Sequence, residues 1–228
     1  MTTPDIIRIG ILGAARIAYD GIVEPSRATG CRLTVVAARD AARGRAFADQ
    51  HGVDRAVTDY RAVVETEDVD VVYNPLPNSM HAAWNTAAIA AGKHVLSEKP
   101  FASNAAEAAS VRARGLAAGV VVADGLHYRY HPVNRRLQEL LRRGDLGELV
   151  SVDVVVHIPR PAPGDLRISA ALAGGALMDS GCYAIHAIGL VGEIAGPPEL
   201  ADVVGREFPD LPGVDEQVLA GVSWLFGF

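Results

Sequence analysis

The chain has 228 residues, half of them hydrophobic, and a formal net charge of -6 at pH 7. That suits one large domain or two small ones with a substantial core. It leaves no sequence-wide basic surface for nucleic acid. The two cysteines, Cys31 and Cys182, form no metal-like or redox-like pair, so reduced thiols in a cytoplasmic protein are expected. Met1–Asp5 lacks the basic and apolar regions of a signal peptide, and no apolar run is long enough to span a membrane.

In chain order, short apolar runs at Ile6–Leu12, Leu33–Ala38, Val69–Tyr73, His94–Ser97 and Val120–Ala123 read as strands. Between them, Ile17–Ala28, Ala41–His51, Met80–Ala91 and Ala105–Ala118 read as helices. Strands alternating with helices predict an α/β fold on a parallel sheet covered on both faces. After Ala123 the pattern changes. A helix is expected over Pro132–Arg143, stopped by Gly144, and a strand over Leu149–Ile158. A Pro-rich irregular stretch at Pro159–Gly164 precedes a helix over Met178–Val191, then strands at Leu200–Glu207 and Val214–Trp224. The expected division is 1–123, a dinucleotide-binding Rossmann domain, and 124–228, an α+β substrate and dimerisation domain. A final strand followed only by Phe226-Gly227-Phe228 predicts a chain truncated within its C-terminal sheet.

The first strand runs into Gly13-Ala14-Ala15-Arg16-Ile17-Ala18. A strand–turn–helix presents backbone N–H groups and a positive helix end to a pyrophosphate. Gly13 and Ala18 fill the first and third places of G-x-G-x-x-G/A, while Ala15 replaces the middle glycine. About 20 residues on, where an acid would read the ribose of NAD, the chain has Ala38-Arg39. Room and positive charge there favour NADP, with NAD the alternative. Arg39 also fits a plain surface residue, and Asp40 a helix cap.

Pro75-Leu76-Pro77-Asn78 closes a strand with a stiff loop ending at His81. Its place at the carboxyl edge of the sheet puts Pro75, Leu76, Asn78 and His81 among the cofactor contacts. His81 suits a structural or ribose-side contact better than a proton shuttle. Ser97-Glu98-Lys99-Pro100 sets a lone lysine at the tip of the next strand. Glu98 is expected to touch the nicotinamide ribose or to position Lys99. Downstream, Asp179, Tyr183 and His186 fall at i, i+4 and i+7, one helix face.

Oxidising an alcohol requires removal of its hydroxyl proton, and the reverse reaction requires its delivery. Tyrosine, with a pKa of about 10, does either poorly unless a nearby cation lowers that value. Lys99 could do so and stabilise a developing alkoxide, with Asp179 orienting lysine or substrate. A core-facing tyrosine and a capping aspartate are the plainer alternative. His186 fits a substrate contact or a satisfied core histidine equally. Arg129, in Tyr128-Arg129-Tyr130-His131-Pro132, could touch substrate or pair with a carboxylate. The seven histidines show no ligand spacing, so no metal is expected.

Together these motifs, with Gly144-Asp145-Leu146-Gly147-Glu148 and Gly174–Tyr183, closely resemble the glucose–fructose oxidoreductase / inositol dehydrogenase / MocA family. The resemblance spans nearly the whole chain. It implies an N-terminal Rossmann domain and a C-terminal domain on an open, mostly antiparallel sheet, whose face pairs subunits into a homodimer. It implies a cis Lys99–Pro100 bond, Lys99 beside nicotinamide and substrate hydroxyl, and Asp179 and Tyr183 in the site. Tyr183 resembles the dihydrodiol dehydrogenase and glucose–fructose oxidoreductase branches more than the inositol dehydrogenases, which carry histidine there. Departures are Ala15, Ser180 where aliphatic residues are common, and the missing C-terminal strands. The implied activity is NADP(H)-dependent hydride transfer on a sugar, cyclitol or dihydrodiol. Two alternatives stand beside it. One is a non-catalytic nucleotide-binding relative. The other, a glycosidase using bound NAD, wants a His-rich glycine motif that the chain lacks.

Overall fold

The computed structural model describes residues 6–223. The chain divides into two compact units, the first ending at Gly125 and the second beginning at Leu126. Trp224, the Phe226–Phe228 tail and the Met1–Asp5 start lie outside the described residues.

The first unit is built on six parallel strands. They are β1 (Arg8–Leu12), β2 (Arg32–Ala37), β3 (Arg55–Val57), β4 (Val71–Asn74), β5 (His94–Ser97) and β6 (Val122–Asp124), in the order β3-β2-β1-β4-β5-β6. The helices are α1 (Glu24–Thr29), α2 (Ala41–His51), α3 (Tyr60–Val64), α4 (Asn78–Ala90) and α5 (Ala105–Ala118). Both faces of the sheet are buried, which is why its strands read as continuous apolar runs. Leu12, Val35, Val72 and Val95 pack with Ala88, Ile89 and Val111 on one face. Ile9, Ile11, Val36 and Tyr73 pack with Val23 and Ala48 on the other. Asp40 and Asn104 cap α2 and α5 by accepting from Arg43 N and Glu107 N, each at 2.9 Å.

Two differences from the sequence reading stand out here. β3 and α3 are too short for hydrophobic periodicity to show. The helix expected from Ile17 instead begins as a π turn, Tyr19–Val23, and becomes α-helical only at Glu24. Gly21 lies within that turn, where an added Cβ would collide with the Tyr73 hydroxyl.

In the second unit a 3₁₀ turn, His127–Tyr130, leads into α6 (Pro132–Arg143), which ends on left-handed Gly144. A π turn, Leu177–Gly181, precedes α7 (Cys182–Ala195). β7 (Glu199–Phe208) and β8 (Leu211–Ser223) pair antiparallel as a two-stranded sheet. The strand expected over Leu149–Ile158 is not formed: among the described residues the segment pairs with no other strand. Its alternating valines lack a sheet to bury them, and Val150 is 89 % exposed. Alternation marks a potential strand, but a strand exists only with a ladder partner. No helix among the described residues is long and apolar enough to cross a membrane.

Candidate active site

At the carboxyl end of β1 the chain turns at Gly13, whose φ of 96° lies in the left-handed region that favours glycine. Gly13 N donates to Ala37 O at 2.7 Å, and Ala15 N to Gly13 O at 2.8 Å. Ala14 packs against the core, Ala18 is fully buried, and Arg16 and Ile17 point outward. At the end of β2, Ala38 is fully buried and Arg39 exposed, while Asp40 caps the next helix. Capping by Asp40 therefore leaves Arg39 available.

The ends of β4 and β5 lie beside this turn in sheet order. Pro75 and Leu76 are buried, with Asn78 half-buried at the start of α4. Leu76 Cδ2 would lie 3.2 Å from a Cβ on Gly13, so the two loops pack closely. Lys99 follows β5, half-buried, and the Lys99–Pro100 bond is cis. Glu98 does not reach outward alone. Its Oε1 accepts from the Tyr73 hydroxyl at 2.7 Å and its Oε2 from Lys99 N at 3.3 Å. Burial pushes the Tyr73 phenol well above its ordinary range, and the Glu98 charge adds to this. Tyr73 therefore remains a neutral donor.

Asp124, at the end of β6, pairs in register with Ser97. Its Oδ1 is buried without a hydrogen-bond partner. Burial first, and the Glu98 charge second, push its carboxyl up to about 6, against the pull of Lys99. The folded state thus binds this proton more tightly than the unfolded chain, where the ordinary value is 3.8. The contribution of Asp124 to stability is greatest below that value and is lost as pH rises through about 6. Asp124→Asn removes the cost of the buried charge. Discounted for partial exposure, the gain is about 1–2 kcal/mol near pH 8. Urea unfolding of both proteins should show that gain at pH 8 and its disappearance near pH 4.

In the second unit, Asp179 lies in the π turn ahead of α7, with its side chain 12 % exposed. Arg167 Nη1 is 3.9 Å from Asp179 Oδ2. The same guanidinium binds Asp165 through Nε at 3.0 Å and Nη2 at 2.9 Å. Gly175 N donates to Arg167 O at 2.8 Å, and Leu177 N to Asp215 Oδ2 at 2.6 Å, which anchors the turn. Tyr183 begins an aromatic cluster. Its ring lies 5.8 Å from Tyr128 and 6.4 Å from His127, centroid to centroid. The Tyr128 hydroxyl is 2.7 Å from His186 Nδ1 and donates to Tyr183 O at 3.3 Å. Burial, aided by Arg129, lowers the His186 pKa, so its neutral ring is favoured as partner for Tyr128. Arg129 itself binds Glu193 Oε1 through both terminal nitrogens at 3.2 Å.

A cavity of about 180 Å³ opens beside Asp179, lined by Arg160, Arg167, Phe208 and Glu216 among others. Its charges are already paired. Arg160 reaches Asp210 at 2.6 Å and lies 4.5 Å over the Phe208 ring, and Glu216 meets Arg206 at 3.2 Å. Motif reading gave no role to Arg167, Tyr73, Tyr128 or Asp124. Arg167 and Asp179 are separated by the irregular Gly174-Gly175 turn, so no periodic spacing joins them. Asp124 ends a strand of three residues and carries no motif.

A parallel sheet in this order, with a glycine turn after β1 and loops at the carboxyl ends of β4 and β5, defines a dinucleotide-binding domain of the Rossmann type. Residues 7–125 match the GFO_IDH_MocA oxidoreductase family with its NAD-binding Rossmann fold, and residues 134–223 match the GFO/IDH/MocA C-terminal domain. The chain belongs to this family. It is 41% identical over 180 residues to a D-xylose 1-dehydrogenase (NADP(+)) of Haloferax volcanii, covering 78% of this chain and 55% of that protein. The chain thus spans about half the length of this curated relative. A 3-ketoreductase from Actinomadura kijaniata, crystallised with NADP and TDP-benzene, superposes with a TM-score of 0.89 at 33% identity. That match covers 97% of this chain and 67% of the other. Further structures of that ketoreductase carry one substituted tyrosine (30% identity, TM-score 0.83, 97% and 67% covered) or one substituted lysine (29%, 0.79, 97% and 66%). Those two positions are separated by the same number of residues as Lys99 and Tyr183 here.

Proposed function

We propose that this chain carries the NADP(H)-dependent machinery of an oxidoreductase that interconverts an alcohol and a carbonyl on a sugar, cyclitol or dihydrodiol. One observation carries the reading. The Gly13 turn, the Pro75–Asn78 loop and Glu98-Lys99 follow three parallel strands that are neighbours in the sheet, so they share its carboxyl edge.

The residues present fit the dinucleotide. Gly13 supplies the tight turn, and buried Ala18 permits close helix–strand packing. Arg39, exposed beside the small Ala38, suits a 2′-phosphate. Nicotinamide, when bound, supplies or accepts the hydride. The protein's task is then the proton. Lys99 holds positive charge where an alkoxide develops, and Tyr183 gives or takes the hydroxyl proton, with Asp179 orienting substrate. The matching separation of the lysine and tyrosine substituted in the ketoreductase supports this assignment.

The cavity beside Asp179 supports a neutral, hydroxyl-rich substrate. Paired arginines and carboxylates offer donors and acceptors there without a spare cation for a phosphate or carboxylate. Phe208 backs the cavity as a buried side chain with Arg160 over its ring.

Arg39→Ala tests the cofactor assignment. Loss of a charge-assisted contact worth about 1.5–3 kcal/mol should weaken NADPH binding about 10- to 150-fold. NADH binding should be unchanged. Titration of intrinsic fluorescence with each nucleotide checks this. Equal weakening of both would remove Arg39 as the phosphate reader.

A further inference from the structure

His81, in the first turn of α4, is 1 % exposed, and the proton chemistry above does not use it. Its ring lies between two backbone carbonyls, with Nδ1 2.6 Å from Pro100 O and Nε2 2.6 Å from Leu76 O. Carbonyl oxygens only accept. A neutral imidazole has one N–H and one lone pair, so it satisfies one of these oxygens and turns a lone pair toward the other. An imidazolium donates to both, and bonds from a charged donor are the shorter and stronger kind.

The remaining polar neighbours are neutral. Asn74 Nδ2 donates to His81 O at 3.3 Å and to Asn85 Oδ1 at 2.7 Å, and Asn74 Oδ1 accepts from Leu76 N at 3.3 Å. Asn85 Nδ2 donates to Ser97 Oγ at 3.0 Å. These amides brace β4, α4 and β5 whatever the charge on His81. Two charged groups reach the ring: Glu98 favours its protonation and Lys99 opposes it. Burial is the largest influence and outweighs the two carbonyls, so the ring's pKa lies below its ordinary value and the doubly protonated form belongs to the acid side.

We propose that His81 is a proton-dependent positioning residue, whose doubly protonated ring ties the Leu76 loop to Pro100 and thereby sets Lys99 relative to the dinucleotide loop. The neutral ring releases one of the two carbonyls. This role rests on the oxidoreductase reading only in the meaning it gives to Lys99; the hydrogen bonding stands apart from it.

The test is a titration of the full chain, labelled with ¹⁵N, followed by NMR from about pH 8 down to about pH 4, past the span in which histidine normally titrates, because burial lowers this ring's pKa. Both His81 ring nitrogens should carry protons on the acid side, and one should lose its proton as pH rises. The amides of Asn78 and Phe101, which flank the two carbonyls, should move with the same midpoint. In His81→Gln, which donates from one end of its amide only, that shared transition should vanish. Its kcat should fall about tenfold and lose the matching pH dependence, with NADPH affinity kept. A wild-type ring that holds one proton in one tautomer throughout overturns the proposal, even if His81→Gln fails to fold. So does a ring titration that leaves both amides still. Failure of NADPH to bind would instead sink the oxidoreductase reading and leave the titration result standing.

Discussion

Lys99→Met should lower turnover by about 10²- to 10⁴-fold, the range associated with a positioned proton-transfer group, while NADPH continues to bind. Methionine keeps much of the length and apolar stem of lysine and removes only the cation. The backbone around residue 99 should persist, because its N–H donates to Glu98 Oε2 and Glu98 is held by the Tyr73 hydroxyl at 2.7 Å. The Pro100 carbonyl keeps its contact with His81. The neighbouring backbone is thus kept while the charge at residue 99 is lost. Steady-state kinetics and an NADPH thermal shift on the same preparation separate the two effects. Turnover within a few-fold of wild type would remove Lys99 from the chemistry. Loss of the thermal shift together with turnover would make it a structural residue.

Tyr183→Phe should cost a comparable factor, about 10²- to 10⁴-fold in kcat, with little change in stability. The packing of the ring survives the substitution. Tyr128 and His127 pack against the ring itself, and Tyr128 donates to the Tyr183 backbone carbonyl rather than to its hydroxyl. Only the proton-bearing oxygen is removed. A drop in kcat with an unchanged melting temperature identifies that oxygen as the acid or base. A Tm that falls by several degrees with kcat intact would instead make Tyr183 a packing residue. Tyr128→Phe is the informative contrast, since it breaks the bond to His186 and keeps the Tyr183 hydroxyl.

Much of the first unit was legible because both faces of its sheet are buried. Ile9, Ile11 and Leu12 are apolar whichever way they point, so the runs announce parallel strands. Gly13, Glu98 and Lys99 were legible through their places at strand ends. Electrostatic partners were not. Asp124 is set beside Glu98 by the pairing of β6 with β5, and nothing local in the sequence encodes that neighbour. The i, i+4, i+7 reading of Asp179, Tyr183 and His186 assumed one regular helix, yet a π turn holds Asp179 and α7 starts only at Cys182. Pattern also misled at Leu149–Ile158, where alternation alone does not supply a partner strand. Polar residues of the second unit, such as Arg167 and Asp165, meet through irregular turns that carry no period.

In the proposed reading, the carboxyl edge of the six-stranded sheet binds NADP(H) for hydride transfer. The most direct measurement is the melting temperature of the 228-residue chain with NADPH, with NADH and alone. Binding to the native state at a hundredfold excess over Kd stabilises by about 2.7 kcal/mol, so NADPH should raise Tm by several degrees and NADH by less. A cooperative melt that neither nucleotide moves would mean that this sheet edge does not bind NADP(H).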